Sequence, residues 1–121
     1  MKTILVIDDD ATIRGVIRLF LEDAGYTVLE ATDGKAGMRI FSGSPVDLVI
    51  LDIFMPEKDG IETIQEIREA GNCKVLAISG GSPTMGMDFL RHAKTFGANA
   101  ILVKPFSESE LLESVRRLTT D

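Results

Sequence analysis

Four unbroken apolar tetrads, Ile4-Leu5-Val6-Ile7, Leu48-Val49-Ile50-Leu51, Val75-Leu76-Ala77-Ile78 and Ala100-Ile101-Leu102-Val103, set the strongest limit on how this chain can fold. A strand sends successive side chains to opposite faces, so a run without polar interruption must be covered on both, as in a parallel sheet between helical layers. Segments with helical spacing lie between the tetrads. The clearest sets Ile13, Val16, Ile17, Phe20, Leu21 and Ala24 on one stripe, with Asp10 placed as its N-cap and Gly25 as its stop. A weaker strand is expected at Thr27–Ala31, where Glu30 suits an edge position. Further helices are expected at Gly34–Phe41, Gly60–Glu69, Met85–Phe96 and Ser107–Leu118. Strand and helix thus alternate through five βα units, the pattern of right-handed crossovers in a doubly wound α/β fold.

The length of 121 residues suits one domain, 1–121, and a chain of this size buries roughly two-thirds of its unfolded surface without needing disulfides or a structural metal. Cys73 has no second cysteine to pair with. No secretory signal and no apolar run near the ~18 residues of a bilayer span are present, so a cytoplasmic protein with no membrane partner is expected. With 13 Lys and Arg against 19 Asp and Glu, the net charge is −6, which speaks against direct nucleic-acid binding.

Function is expected where the tetrads end. Asp8-Asp9-Asp10 follows the first, Asp52 the second, Ser79 the third and Lys104 the fourth. In a parallel sheet these positions share one edge, and with strands ~4.8 Å apart their side chains can converge. Asp10 is accounted for as a helix cap. Asp8, Asp9 and Asp52 together are not, because like charges brought close repel unless a cation compensates them. Oxygen donors favour Mg²⁺, which takes one or two carboxylates and keeps places for water and a phosphoryl oxygen. Lys104 could neutralise either a carboxylate or an incoming phosphoryl group.

Taken in order, Asp8-Asp9, Asp52-Ile53-Phe54-Met55-Pro56-Glu57-Lys58-Asp59-Gly60, Ser79 and Lys104-Pro105-Phe106 resemble the receiver domain of two-component response regulators, over essentially the whole chain. The resemblance implies a flavodoxin-like sheet of five parallel strands in the order 2-1-3-4-5 with five helices. It makes Asp52 the phosphoryl acceptor, with Asp9, Asp52 and the backbone carbonyl of Phe54 as ligands of Mg²⁺, or of Mn²⁺ in its place. Asp8 acts on the metal through water, Lys104 contacts a phosphoryl oxygen, and Ser79 is the switch hydroxyl. A histidine kinase or phosphotransfer protein would supply the phosphoryl group, and a downstream protein or a homodimer would read it. Such a receiver is a signalling switch and not an enzyme beyond phosphoryl uptake and self-dephosphorylation. Pro105 resembles the family's cis-proline. Two positions depart from the pattern: Ile101 stands where the family usually has an aromatic, and Gly80-Gly81-Ser82-Pro83-Thr84 makes the loop after Ser79 small and glycine-rich.

Two other protein classes share some of these residues. Asp8-Asp9-Asp10-Ala11-Thr12 also matches the Asp-x-Asp-x-Thr signature of haloacid-dehalogenase-like phosphohydrolases, with Asp8 as nucleophile. The chain is short for that fold, no acidic motif follows Lys104, and Asp52-x-x-Met-Pro would be unexplained. A flavodoxin-like FMN binder would carry a Ser-, Thr- and Gly-rich loop after the first strand, where this chain is acidic. His92 lacks a second ligand at metal spacing, Met85 and Met87 suit gap-filling, and only Lys74 stands beside Cys73 to activate it.

Overall fold

The computed structural model describes residues 2–53, 60–79 and 97–120, without the side chain of Ser79. Its elements are β1 (Thr3–Ile7), α1 (Ala11–Asp23), β2 (Thr27–Ala31), α2 (Gly34–Gly43), β3 (Leu48–Asp52), α3 (Gly60–Ala70), β4 (Lys74–Ser79), β5 (Ala100–Val103) and α4 (Glu108–Thr119). All pairings are parallel and the strand order is β2-β1-β3-β4-β5. That is the expected sheet. The helix expected at Met85–Phe96 lies outside the described residues.

The tetrads divide residue by residue into two cores. Leu5, Ile7, Val49, Leu51, Val75 and Ala77 point to one face, against Ile64 and Ile67 of α3 and the apolar side of α2. Ile4, Val6, Leu48, Ile50, Leu76 and Ile78 point to the other, against Ile17 and Leu21 of α1 and Leu111 and Val115 of α4. The named side chains are fully buried, each valine, leucine and isoleucine contributing about 1.5–3 kcal/mol relative to exposure. β5 departs from the expectation of burial on both faces: Val103 is 47% exposed, because β5 is the outermost strand of its side.

The helix ends follow from local chemistry. Asp10 caps α1 by accepting from the backbone N–H groups of Thr12 and Ile13, and Gly25 leaves the helix at φ +96°, a conformation that favours glycine. Ser107 and Glu110 cap α4 reciprocally, a capping box. Gly60 donates its N–H to Ile53 O at 3.2 Å, and a Cβ there would overlap the Ile53 backbone. α3 can therefore begin hard against the residue that follows Asp52.

Candidate functional site

Register decides what meets at the carboxyl edge. Ile7 pairs with Leu51, so the next residues, Asp8 and Asp52, stand side by side; Ser79 ends β4 opposite Val103, the last residue of the outer strand, and Lys104 follows it. One carboxylate oxygen from each of Asp8, Asp9 and Asp52 lies within 4.8 Å of the others. Asp8 is fully buried and Asp52 is 5% exposed, whereas Asp9 faces solvent. The Lys104 ammonium spans the two buried acids, donating to Asp8 Oδ2 at 3.2 Å and Asp52 Oδ2 at 3.4 Å. Burial pulls its pKa down, but the charges of Asp52 and Asp8 and the bonds they accept outweigh burial and hold it above its ordinary value.

Four of the expected site residues thus come together: Asp8, Asp9, Asp52 and Lys104. The backbone of Ser79 reaches the same edge, while its side chain, the Phe54 carbonyl and the Gly80–Thr84 loop lie outside the described residues. The Lys104–Pro105 peptide bond is cis. Ile101 is partly buried against the core on the α2 and α3 face.

The donor set fits a hard divalent cation. Asp8 Oδ1 already accepts from the Asp10 N–H at 2.9 Å and Oδ2 from Lys104, whereas exposed Asp9 is reached from solvent. Two or three carboxylates with one side open to water suit Mg²⁺, which keeps several waters, better than a closed cage of protein oxygens.

Sequence reasoning missed the basic side chains that frame this cluster. Arg14, one turn into α1, donates from Nη1 to the backbone oxygen of Asp8 at 2.8 Å and from Nε to Glu30 Oε1 at 3.1 Å. Arg18 donates from Nη1 to Glu30 Oε2 at 2.6 Å and from Nε to Glu22 Oε2 at 3.1 Å. These bonds, Arg18's first, hold the Glu30 carboxyl below its ordinary range against the opposing effect of burial. The available signal was the i, i+4 spacing of Arg14 and Arg18 beside a strand acid at Glu30.

Known proteins match this chain in sequence and in fold. The response regulator receiver domain model matches residues 4–116. The uncharacterized transcriptional regulatory protein YrkP of Bacillus subtilis is 40% identical over 120 residues, covering 96% of this chain and 50% of that protein. The transcriptional regulatory protein CpxR of Klebsiella pneumoniae is 33% identical over 122 residues, covering 98% of this chain and 49% of that protein. The chain spans about half the length of these curated relatives. Among solved structures, a receiver domain protein of Clostridium thermocellum superposes with a TM-score of 0.90 at 31% identity, covering 98% of this chain and 94% of that one. The chemotaxis response regulator CheY4 of Vibrio cholerae gives 0.87 at 29%, covering 98% of each. With this match running through both the sheet and the acidic edge, the chain belongs to the response regulator receiver domain family.

Proposed function

We propose that residues 1–121 form one receiver unit that takes a phosphoryl group on Asp52 from a histidine kinase or phosphotransfer protein and signals the change to a downstream protein or a second copy. The observation that carries this reading is the meeting of Asp8, Asp9, Asp52 and Lys104 at one edge of the sheet. An Asp52 carboxylate oxygen attacks phosphorus, an acyl P–O bond forms as the donor's P–N bond breaks, and the electron pair returns to the imidazole nitrogen. Asp9 and Asp52, with the Phe54 carbonyl, would hold Mg²⁺ or Mn²⁺, with Asp8 acting through water; the bound ion supplies charge neutralisation for the phosphoryl oxygens. Lys104 stands beside Asp52, within reach of a phosphoryl oxygen carried there. Ser79 is the switch hydroxyl that answers the new charge.

An apolar groove of about 400 Å³ runs beside Lys104 between Ile13, Val16 and Ile17 of α1 and Pro105 and Phe106, a surface on which a protein phosphoryl donor could dock next to the site. The role is that of a cytoplasmic switch without direct contact to nucleic acid or membrane; no helix among the described residues is long and apolar enough to cross a membrane. The transcriptional role in the relatives' names belongs to proteins about twice as long.

Incubation with acetyl phosphate and Mg²⁺, borohydride trapping and mass spectrometry test the acceptor. The label is expected on Asp52 and absent from Asp52→Asn. A label on Asp8 would overturn the assignment in favour of phosphohydrolase chemistry.

A further inference from the structure

Every polar atom of Asp8 is engaged. Its N–H donates to Ala31 O of β2 at 3.1 Å, its carbonyl accepts from Arg14 Nη1 at 2.8 Å, Oδ1 accepts from the Asp10 N–H and Oδ2 from Lys104. The carbonyl bond is the one with reach, because that oxygen belongs to the planar peptide unit joining Asp8 to Asp9. A group that fixes the Asp8 oxygen fixes the plane from which Asp9 departs. Arg14 is itself fixed: its side chain is 16% exposed, its Nε is held by Glu30 at 3.1 Å, and Glu30 is braced by Arg18. β2, α1 and the acidic loop are thereby tied through one planar guanidinium.

We propose that Arg14 is a positioning residue of the divalent-cation site, setting the Asp8–Asp9 peptide so that the solvent-facing Asp9 carboxylate is aimed at the ion, with Glu30 holding Arg14 in that pose. The proposal rests on the reading of Asp8, Asp9 and Asp52 as the metal site. Its sign separates it from simple electrostatics. As a charge near three carboxylates Arg14 disfavours a second cation, so removing charge alone would tighten Mg²⁺ binding; removing the hold on the peptide weakens it. Lysine is a point charge without the fork needed to hold carbonyl and carboxylate at once.

Titration of the unphosphorylated protein with MgCl₂, read by backbone amide NMR shifts and by the thermal midpoint, tests the assignment in wild type, Arg14→Gln, Arg14→Lys, Glu30→Gln and Asp9→Asn. Circular dichroism and urea midpoints without metal establish that each variant is folded; Arg14→Lys and Glu30→Gln keep the bulk of the replaced side chains. The expected result is an affinity loss of about tenfold in Arg14→Gln, the scale seen when a group supporting a metal ligand is removed. The loss should persist at raised KCl, with Arg14→Lys close behind and Glu30→Gln smaller. Equal or tighter binding by Arg14→Gln, or full wild-type affinity in Arg14→Lys, overturns the positioning role while leaving the metal site in place. A wild type that does not respond to Mg²⁺, or an Asp9→Asn variant that responds as wild type does, overturns the metal assignment itself and this inference with it.

Discussion

Asp47 and Asp52 bracket the same strand, and they do opposite things. Asp47, at the amino edge, is exposed and turns its carboxylate back to accept from the Thr3 N–H at 2.7 Å, while its own N–H donates to Thr3 O. Asn99 repeats this at β4, accepting from the Val75 N–H at 2.9 Å and donating to Val75 O. At the amino edge polar side chains satisfy backbone groups where strands begin. Asp52, at the carboxyl edge, is nearly buried beside Asp8 and shares one ammonium with it. An edge that gathers buried like charges gives up stability that a cation can restore; an edge that satisfies its backbone has no such reserve.

The sharpest way to break that contrast is to remove the shared cation. Lys104→Met leaves Asp8 and Asp52 close together in a poorly solvated site, and loss of one partner of a buried pair typically costs about 3 kcal/mol or more. Urea unfolding at neutral pH should show a loss of that size without metal and a clearly smaller one with saturating MgCl₂. An equal loss in both conditions would mean that no cation takes over part of the lysine's role.

The two aspartates themselves give a paired test with opposite signs. Asp52→Asn removes repulsion with Asp8 and Asp9 and loses one attraction to Lys104, so the metal-free fold should gain on the order of 1 kcal/mol while its Mg²⁺ response falls. Asp47→Ala should lose about 0.5–1 kcal/mol, the worth of one hydrogen bond near water, with the Mg²⁺ response unchanged. Destabilisation by both substitutions would erase the distinction between the edges.

The five strands and four described helices were legible because the signal for each was local: apolar tetrads, one stripe on α1, and a cap at Asp10 that the structure bears out, whereas Ser107, read as the first residue of the last helix, is its cap. The edge position of Thr27–Ala31 was also readable, because Glu30 interrupts its apolar run. The convergence of Asp8, Asp9, Asp52 and Lys104 followed from parallel topology, which sends every strand end to the same side. What sequence did not yield was the direction of individual side chains. Lys104, expected to neutralise either a carboxylate or a phosphoryl group, bridges two acids at once, and Arg14 turns to a main-chain oxygen, a partner that no residue pattern encodes. Asp47 and Asp52 show the limit: the same residue at the two ends of one strand, one turned back onto the Thr3 N–H and the other beside the Lys104 ammonium.

Glu30 offers the smallest test, because it stands near the carboxyl edge yet behaves as Asp47 does, with its carboxylate spent on holding neighbours in place. Arg18 and Arg14 keep its folded-state pKa below the ordinary carboxylate value, against burial. A group depressed in this way contributes stability that is complete above its unfolded pKa, about 4.3, and that fades as pH falls through the lower folded value. The difference in unfolding free energy between wild type and Glu30→Gln should therefore be level from neutral pH down to roughly 5 and shrink below that. The side chain is 27% exposed and glutamine can still accept one bond, so the plateau should be about 1 kcal/mol or less. Urea midpoints of both proteins between pH 7 and the acid limit of folding measure it. A difference that stays level through acid would mean that shape rather than charge joins Glu30 to the arginines, and would place Glu30 in neither class of edge residue.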